Sequence, residues 1–287
     1  MIIVKKLVIP TTKDLKKLEP YCDGFILGIT DLCINYSLTF TMDEVKEIIQ
    51  HYPNKEFFIS VNKNMHQQDL PHLKEVLLQA EQLPVKGIFY YDISVVEYKH
   101  ELSLTKDLVW NQEHLATNYS TCNYWYQFGA KYSCLSSEIT LEEIKTIQKN
   151  AKGILMVPVF GYIPMFTSKR HVVKNYLKYF NLPSSSPIHY IKKEGFTYPI
   201  MDSQDGTTVY SSSILNAIEE LDILKQIGIE YVILNAFLIP EDIFVEVLKT
   251  YEELTEENKK QLYHRIQQLL PNCDKGFLYK ETIYKVK

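Results

Sequence analysis

Three polar residues stand at or just beyond the ends of apolar, strand-like runs, where their side chains could act on a substrate. Glu138 follows the run Lys131–Ser136, and its carboxylate could serve as a general acid or base, clamp a substrate, or pair with a neighbouring cation. Asn111 is the polar end of the run Asp107–Asn111. Asn118 precedes a helical stretch, so it could equally cap that helix. We predict Glu138, Asn118 and Asn111 as the catalytic candidates.

The sequence indicates neither an activated nucleophile nor a metal site. Ser136, Ser137 and Cys134 are not part of a G-x-S-x-G turn, which would expose an activated hydroxyl. The histidines have no H-E-x-x-H or other paired metal-ligand spacing, and His114 is a weak candidate only because it follows Asn111 by three residues. A protease triad cannot be assembled along the chain, although triad partners need only meet in space. We predict no metal ion and no cofactor.

Basic and aromatic residues are interleaved in one part of the chain. Between Met165 and Lys193 there are six basic residues and no acidic one, in a protein whose net charge is −4. Stacking faces beside phosphate-binding charges are typical of proteins that hold flexible RNA. Alternatively, the charges form a solvated helix face and the aromatic rings pack that helix onto its neighbours. The predicted RNA-binding residues are Asn123, Tyr124, Trp125, Lys169, Arg170, Lys174, Lys178 and Tyr198.

Short apolar runs alternate with amphipathic stretches along most of the chain. Near-continuous apolarity predicts strands that are buried on both faces of a parallel sheet. Thr41 and Thr140 each precede a glutamate by three residues, which predicts a capping box at a helix start. The pattern predicts a (β/α)8 TIM-barrel-like α/β fold, with an open doubly wound sheet as the alternative. The eight predicted strands are Lys6–Pro10, Gly24–Ile29, Phe57–Asn62, Gly87–Tyr91, Asp107–Asn111, Lys131–Ser136, Ile154–Phe160 and Tyr231–Phe237.

The spacing predicts a large insertion, about 161–230, between strands seven and eight of a barrel domain that covers residues 1–254. Within it we expect a helix over Ser168–Phe180, with Arg170, Lys174 and Lys178 in one basic stripe, and then short β-like pieces. Residues 255–287 are predicted to form a carboxyl-terminal helix and a tail in which Phe277, Tyr279 and Tyr284 are available for docking.

Cysteine usage and the amino terminus bear on the cellular compartment. The five cysteines are scattered without C-x-x-C spacing, which favours reduced thiols. Met1–Lys6 is too short and too soon charged for a secretory signal, and no apolar run approaches the roughly 20 residues that span a bilayer. We therefore expect a soluble cytoplasmic protein with no membrane association.

Two phrases are more specific than barrel packing requires. They are TNYSTCNYW at Thr117–Trp125, which LSSEITLEE at Leu135–Glu143 follows, and VFGY at Val159–Tyr162, which MFTSKR at Met165–Arg170 follows. Together they resemble peptidase family U32, and most closely its short bacterial members tied to hydroxylation of the wobble uridine of tRNA. The resemblance covers most of the chain. It implies a barrel, a tRNA substrate, a prephenate-dependent pathway and a longer paralogous U32 protein as a partner.

The chain also departs from the pattern of that family. Some relatives hold a 4Fe–4S cluster through cysteines after the strand-seven glycine, but here no cysteine lies between Cys134 and Cys273. Phe160, Ser137 and Asn35 occupy positions where many relatives have polar anchors. Three function classes follow: a tRNA modification protein, a U32-type peptidase or other hydrolase, and a catalytically degenerate binding subunit.

Overall fold

The computed structural model describes residues 4–183 and 186–280. The strands are β1 (Lys5–Ile9), β2 (Gly24–Gly28), β3 (Glu56–Val61), β4 (Gly87–Tyr90), β5 (Leu108–Trp110), β6 (Tyr132–Cys134), β7 (Ile154–Ser168), β8 (Ile188–Lys193), β9 (Phe196–Ser203), β10 (Gly206–Asn216), β11 (Tyr231–Asn235) and β12 (Cys273–Asp274). The helices are α1 (Met42–His51), α2 (Leu70–Glu81), α3 (Ser94–Glu101), α4 (Tyr119–Tyr126), α5 (Leu141–Asn150), α6 (Val172–Tyr179), α7 (Leu221–Gln226), α8 (Glu241–Glu252) and α9 (Lys259–Leu269).

Eight parallel strands close into a barrel. β1 to β7 pair in chain order, and β11 pairs with both β7 and β1, so the sheet has no free edge within the barrel. The predicted (β/α)8 class is confirmed, and closure excludes the open doubly wound sheet. The strands are apolar on both faces because one face fills the barrel interior and the other lies beneath the surrounding helices.

Aromatic rings fill much of the barrel interior. The ring of Phe58 meets Phe89, Tyr132 and Tyr231 edge to face, with centroids 5.6–5.8 Å apart. A second, larger cluster packs the outer strand faces against the helices. The interior of the barrel is therefore filled by side chains.

Both predicted capping boxes are confirmed. The Thr41 hydroxyl accepts from the Glu44 N–H at the start of α1, and Thr140 does the same for Glu143 at the start of α5. In turn, each glutamate carboxylate accepts a hydrogen bond from the backbone N–H of its threonine. Two otherwise unpaired donors are therefore satisfied at each helix start.

Between barrel strands β7 and β11 the chain forms α6 and an antiparallel sheet. β7 runs on past the barrel and pairs with β10, which pairs with β9, and β9 with β8. We call the segment Gly161–Glu230 the insertion. The helix predicted over Ser168–Phe180 begins only at Val172, because Ser168 still pairs with Thr207 in the sheet. The prediction that Arg170 lies on this helix was therefore wrong.

The carboxyl-terminal segment packs onto the barrel. α9 contacts α8, and Leu262, Ile266 and Leu278 join the large outer cluster. Residues 281–287, which include Tyr284, lie outside the described residues. In the described ranges, no helix combines the length and apolarity needed to cross a membrane.

Candidate functional site

Two adjoining cavities open at the carboxyl ends of the barrel strands. The inner cavity, about 100 Å³, is lined in part by the barrel-interior residues Ile26 and Phe89. The outer cavity, about 280 Å³, lies between the barrel and the insertion. Asn62, Glu113 and His114 line both, so the cavities form one candidate site at the end of the barrel where such sites usually lie.

An imidazole and a carboxylate meet at the inner cavity. His114 Nδ1 lies 3.0 Å from Glu138 Oε2, and the two side chains are 39% and 31% exposed. The Glu138 N–H donates to Ser136 Oγ, which fixes the loop after β6. A carboxylate that accepts the Nδ1–H orients an imidazole and leaves its Nε2 to exchange a proton with a bound molecule. The pair can therefore serve acid–base chemistry.

A chain of hydrogen bonds links the insertion to a second carboxyl at the barrel mouth. The Tyr210 hydroxyl on β10 donates to Asn35 Oδ1 at 2.7 Å, and Asn35 Nδ2 donates to Glu113 Oε1 at 3.4 Å. Asn35 and Glu113 have positive backbone φ, +63° and +27°. Residues other than glycine rarely adopt this region, and such strain concentrates at functional sites.

Glu113 has no paired countercharge at the barrel mouth. Burial raises the pKa of its carboxyl above the usual range, against the opposing effects of His114 and the Asn35 amide, and Glu138 raises it further. Ion pairs within the described residues of the mouth belong to other carboxylates: Asp69, Asp205 and Glu138.

A buried lysine fastens the insertion to the barrel. Lys63, whose side chain is 7% exposed, lies 3.3 Å from Asp69 Oδ1 and 3.1 Å from Asp205 Oδ1 in the β9–β10 turn. Lys169 Nζ donates to the Asn64 carbonyl at 2.9 Å. These bonds hold the insertion over the cavities and form part of the outer cavity wall.

The predicted catalytic residues divide into two groups. Glu138 and Asn111 line the inner cavity. Asn118 instead caps α4, where its Oδ1 accepts from the Thr121 N–H at 2.9 Å. Asn118 therefore caps a helix, which is the alternative that the sequence left open for it.

Replacing Asn118 with alanine is expected to lower the free energy of unfolding by about 1 kcal/mol, because one helix N–H loses its partner. Asn118→Ser is the matched control, because serine caps nearly as well. Urea unfolding of both variants measures the difference. Equal stability of the alanine and serine variants would contradict the capping role.

The next predicted RNA-binding residues along the chain lie away from the cavities. Asn123 bonds to the Asn150 carbonyl and the Lys152 N–H, just before β7 begins, and thus at the opposite end of the barrel. Trp125 packs on Trp110 with ring centroids 5.8 Å apart, and Tyr124 lies 5.4 Å from Trp125. The structure does not bring these three residues to the candidate site.

The remaining predicted RNA-binding residues lie on the insertion. Lys169, Arg170, Lys174 and Lys178 are exposed, and Lys174 and Lys178 belong to α6. Tyr198 is partly buried on β9. Large apolar side chains are also unusually exposed in this segment: Phe166, Val172, Tyr176, Tyr179, Phe180, Leu182, Tyr190, Ile191 and Phe196. The insertion thus presents rings and positive charges on one exposed element.

Hydroxyl and thiol groups near the pair of His114 and Glu138 are not arranged as nucleophiles. Burial raises the pKa of the Cys134 thiol to about 12, which keeps it protonated. Ser136 Oγ accepts from the Glu138 N–H, and the only partner found for His114 in the described segments is Glu138. The residues described do not complete a serine or cysteine triad.

The positions of the cysteines do not fit a shared iron–sulfur cluster. All five are free and buried: Cys22 lies before β2 and Cys33 after it, and the others belong to α4, β6 and β12. Throughout residues 4–183 and 186–280, no three histidine, cysteine, aspartate or glutamate side chains are grouped closely enough to hold a metal ion.

Phe160, Ser137 and Asn35, the three residues that depart from the family pattern, each have different neighbours in the structure. Phe160 is buried and stacks on Phe244 at 6.1 Å. Ser137 lines the inner cavity, and Asn35 links Tyr210 to Glu113. The mouth therefore retains polar groups, although different ones from those the family pattern would supply.

Sequence reasoning missed Glu113, Lys63 and Tyr210. Glu113 stands between the candidates Asn111 and His114, so its position just after a strand was the available signal. Lys63 likewise lies two residues after the end of β3. Nothing in the sequence pattern brings Tyr210 to the barrel mouth, because the folding of the insertion decides that contact.

Comparison with known proteins places the chain among similar sequences. A sequence model described as Peptidase family U32 matches residues 27–285. The chain is 28% identical over 303 aligned positions to tRNA hydroxylation protein P2 of Bacillus subtilis, covering 97% of this chain and 98% of that protein. An uncharacterized protease, MJ0090 of Methanocaldococcus jannaschii, is 30% identical over 133 positions, which span 45% of this chain and 32% of that protein.

A solved structure extends the likeness to the fold. The U32 peptidase Mk0906 superposes with a TM-score of 0.52 at 12% identity, covering 84% of this chain and 96% of that one. At such low identity the likeness concerns the barrel architecture alone.

Proposed function

The chain belongs to peptidase family U32, and from that premise we propose that it acts in the hydroxylation of the wobble uridine of tRNA. The observation that carries this proposal is the similarity along nearly the whole length of both chains to a protein named tRNA hydroxylation protein P2. The placement of a basic, aromatic insertion beside the cavities adds support. We place the protein with its substrate in the cytoplasm.

The surface around the outer cavity suits a flexible RNA loop. Lys169 and Phe166 belong to both the insertion and the cavity lining, so a backbone phosphate and a base could be held side by side. Lys174 and Lys178 continue the positive charge along α6. Inside the cavities, the carboxylates of Glu138 and Asp205 disfavour a phosphate, so the uncharged base is the part of a nucleotide that suits the interior.

Deleting the gene is expected to remove 5-hydroxyuridine and its derivatives from tRNA, and expression of the intact chain is expected to restore them. Mass spectrometry of nucleosides from purified tRNA measures both results. A strain that keeps this gene but lacks a gene for another uridine modification is the control for losses unrelated to hydroxylation. An unchanged hydroxyuridine content in the deletion strain would contradict the proposed function.

We further propose that the activity depends on prephenate and on a longer paralogous U32 protein, as the family resemblance implies. This chain is expressed in the deletion strain in two further backgrounds, one without prephenate synthesis and one without the paralogue. Comparing the hydroxyuridine content of their tRNA separates the two requirements. Full modification in both backgrounds would remove them from the proposal.

A hydrolase is the second candidate, because His114, Glu138 and two serines meet at the inner cavity. Release of peptides from a protein substrate, abolished by Ser137→Ala, would favour it. A binding subunit without its own chemistry would instead bind tRNA and leave its uridines unchanged.

A further inference from the structure

Glu113 lies where a substrate in either cavity would meet it. It lines both cavities, and five buried or half-buried titratable groups are close enough for its charge to shift their own pKa values. Those groups are Cys33, Tyr36, Tyr91, Cys134 and Tyr210. None of these groups carries a fixed positive charge, and neither does Glu138; His114 is the one neighbour whose charge lowers the pKa of the Glu113 carboxyl. Lys63 and Lys169 also line the outer cavity, but they bond to Asp69 and Asp205 and to the Asn64 carbonyl.

A purely structural glutamate would not be expected in these surroundings. The side chain of Glu113 is half-buried and has no paired cation among the described residues, which weakens the fold, and the positive φ of +27° adds backbone strain. Glu138, which is half-buried like Glu113, is by comparison paired with His114. Groups that cost stability in this way are typical of functional sites.

We propose that Glu113 is a catalytic residue whose carboxyl donates a hydrogen bond to a carbonyl oxygen of the bound substrate, and that Asn35 and Tyr210 are its positioning residues. The inference rests on the proposed function, in which the substrate is a uracil ring with carbonyl groups on either side of its imide nitrogen. When a nucleophile adds to the far carbon of the ring double bond that is conjugated with a carbonyl, negative charge builds on that carbonyl oxygen. A donor already aimed at that oxygen stabilises this charge.

The contacts of Glu113 agree with a neutral, donating carboxyl. Asn35 Nδ2 donates to Oε1, which leaves the other oxygen to carry the proton. Burial favours this neutral form because it raises the pKa of the carboxyl. Asn35 is itself held by the Tyr210 hydroxyl, so the insertion that we propose binds tRNA also fixes the carboxyl in the cavity.

The test uses the deletion strain, in which variants are induced and the rate of 5-hydroxyuridine formation in tRNA is followed. Glu113→Ala is expected to lower this rate on the order of 100-fold, the usual loss for one donor of this type. Glu113→Gln should keep a measurable part of the rate, because its amide N–H also donates. A Glu113→Ala rate equal to that of the parent would overturn the proposal. So would a Glu113→Gln rate as low as that of alanine, because it would indicate an ionised carboxylate.

Tyr210→Phe tests the positioning role. It should lower the rate while leaving the affinity for tRNA and the melting temperature close to those of the parent, and it should add little to Glu113→Ala because both act through one group. Tyr231→Phe is the matched control. The Tyr231 hydroxyl donates a hydrogen bond to Glu56, the first residue of β3, which lies at the end of the barrel away from the cavities. Equal losses in both tyrosine variants would assign Tyr210 a structural role only.

The glutamine variant also separates this proposal from simple misfolding. Removing an unpaired carboxyl should leave the melting temperature unchanged or raise it by about 2 °C near neutral pH. A fall in the melting temperature would mean that Glu113 stabilises the fold, against the proposal. If the deletion strain itself kept its hydroxyuridine, the proposed function would fail, whereas full activity of Glu113→Ala in a responsive strain would refute only the role of Glu113.

Discussion

Replacing Gly161 with alanine is expected to destabilise the protein by about 3 kcal/mol or more, a loss visible as a fall of several degrees in melting temperature. Gly161 lies where β7 leaves its parallel pairing with β11 and continues beside β10. Its φ is +127°, and an added Cβ would lie 2.1 Å from the Asn235 carbonyl oxygen. Backbone atoms of a barrel strand cannot move aside as a flexible side chain could, so the backbone of β7 or β11 would have to distort where the two strands approach each other.

Gly195→Ala provides the matched control. Gly195 also has a positive φ, +83°, but an added Cβ would meet nothing within 4 Å. The control therefore carries only the conformational penalty of about 1–2 kcal/mol for a left-handed residue. Thermal and urea unfolding of the two variants compares the penalties directly. If both variants lost the same stability, the close approach of Gly161 to β11 would not constrain the fold.

Gly161 also illustrates how far the sequence alone could reach. The eight apolar runs and the two capping boxes are local patterns, and their arrangement into a closed barrel follows from the alternation of strands and helices. The continuation of β7 beyond Gly161 is different, because antiparallel pairing with β10 depends on residues about 50 positions away. This pairing delayed the start of α6 and removed Arg170 from the helix.

The candidate site was predictable to a similar degree. Glu138 and Asn111 could be recognised because strand ends in a parallel barrel meet at one face. Asn123, in contrast, lies away from the candidate site, since a helix that begins at the barrel mouth carries its last residues to the opposite end. Glu113 was missed because it is distinguished by the lack of a paired cation nearby and by its strained backbone. Both features are set by the three-dimensional structure and cannot be recognised in the sequence.

Reversing two charges on the insertion, Arg170→Glu together with Lys174→Glu, is expected to weaken tRNA binding by at least about 100-fold. The two side chains are exposed within five positions of each other, one just before α6 and the other within it. Each contact of a charged group with a phosphate contributes about 1.5–3 kcal/mol, so losing two accounts for a change of this size. The double variant should fold normally, because neither side chain is buried.

Filter binding or fluorescence titration across a range of salt concentrations measures the effect, and the slope of affinity against salt should fall by roughly one for each lost contact. Lys46→Glu together with Lys152→Glu makes the same charge change at exposed positions on α1 and just before β7. That control separates a local phosphate contact from a change in net charge, because an effect of net charge alone would weaken both double variants equally. Equal losses, or a parental salt dependence in the Arg170 and Lys174 variant, would mean that α6 presents only a solvated surface and that tRNA docks elsewhere.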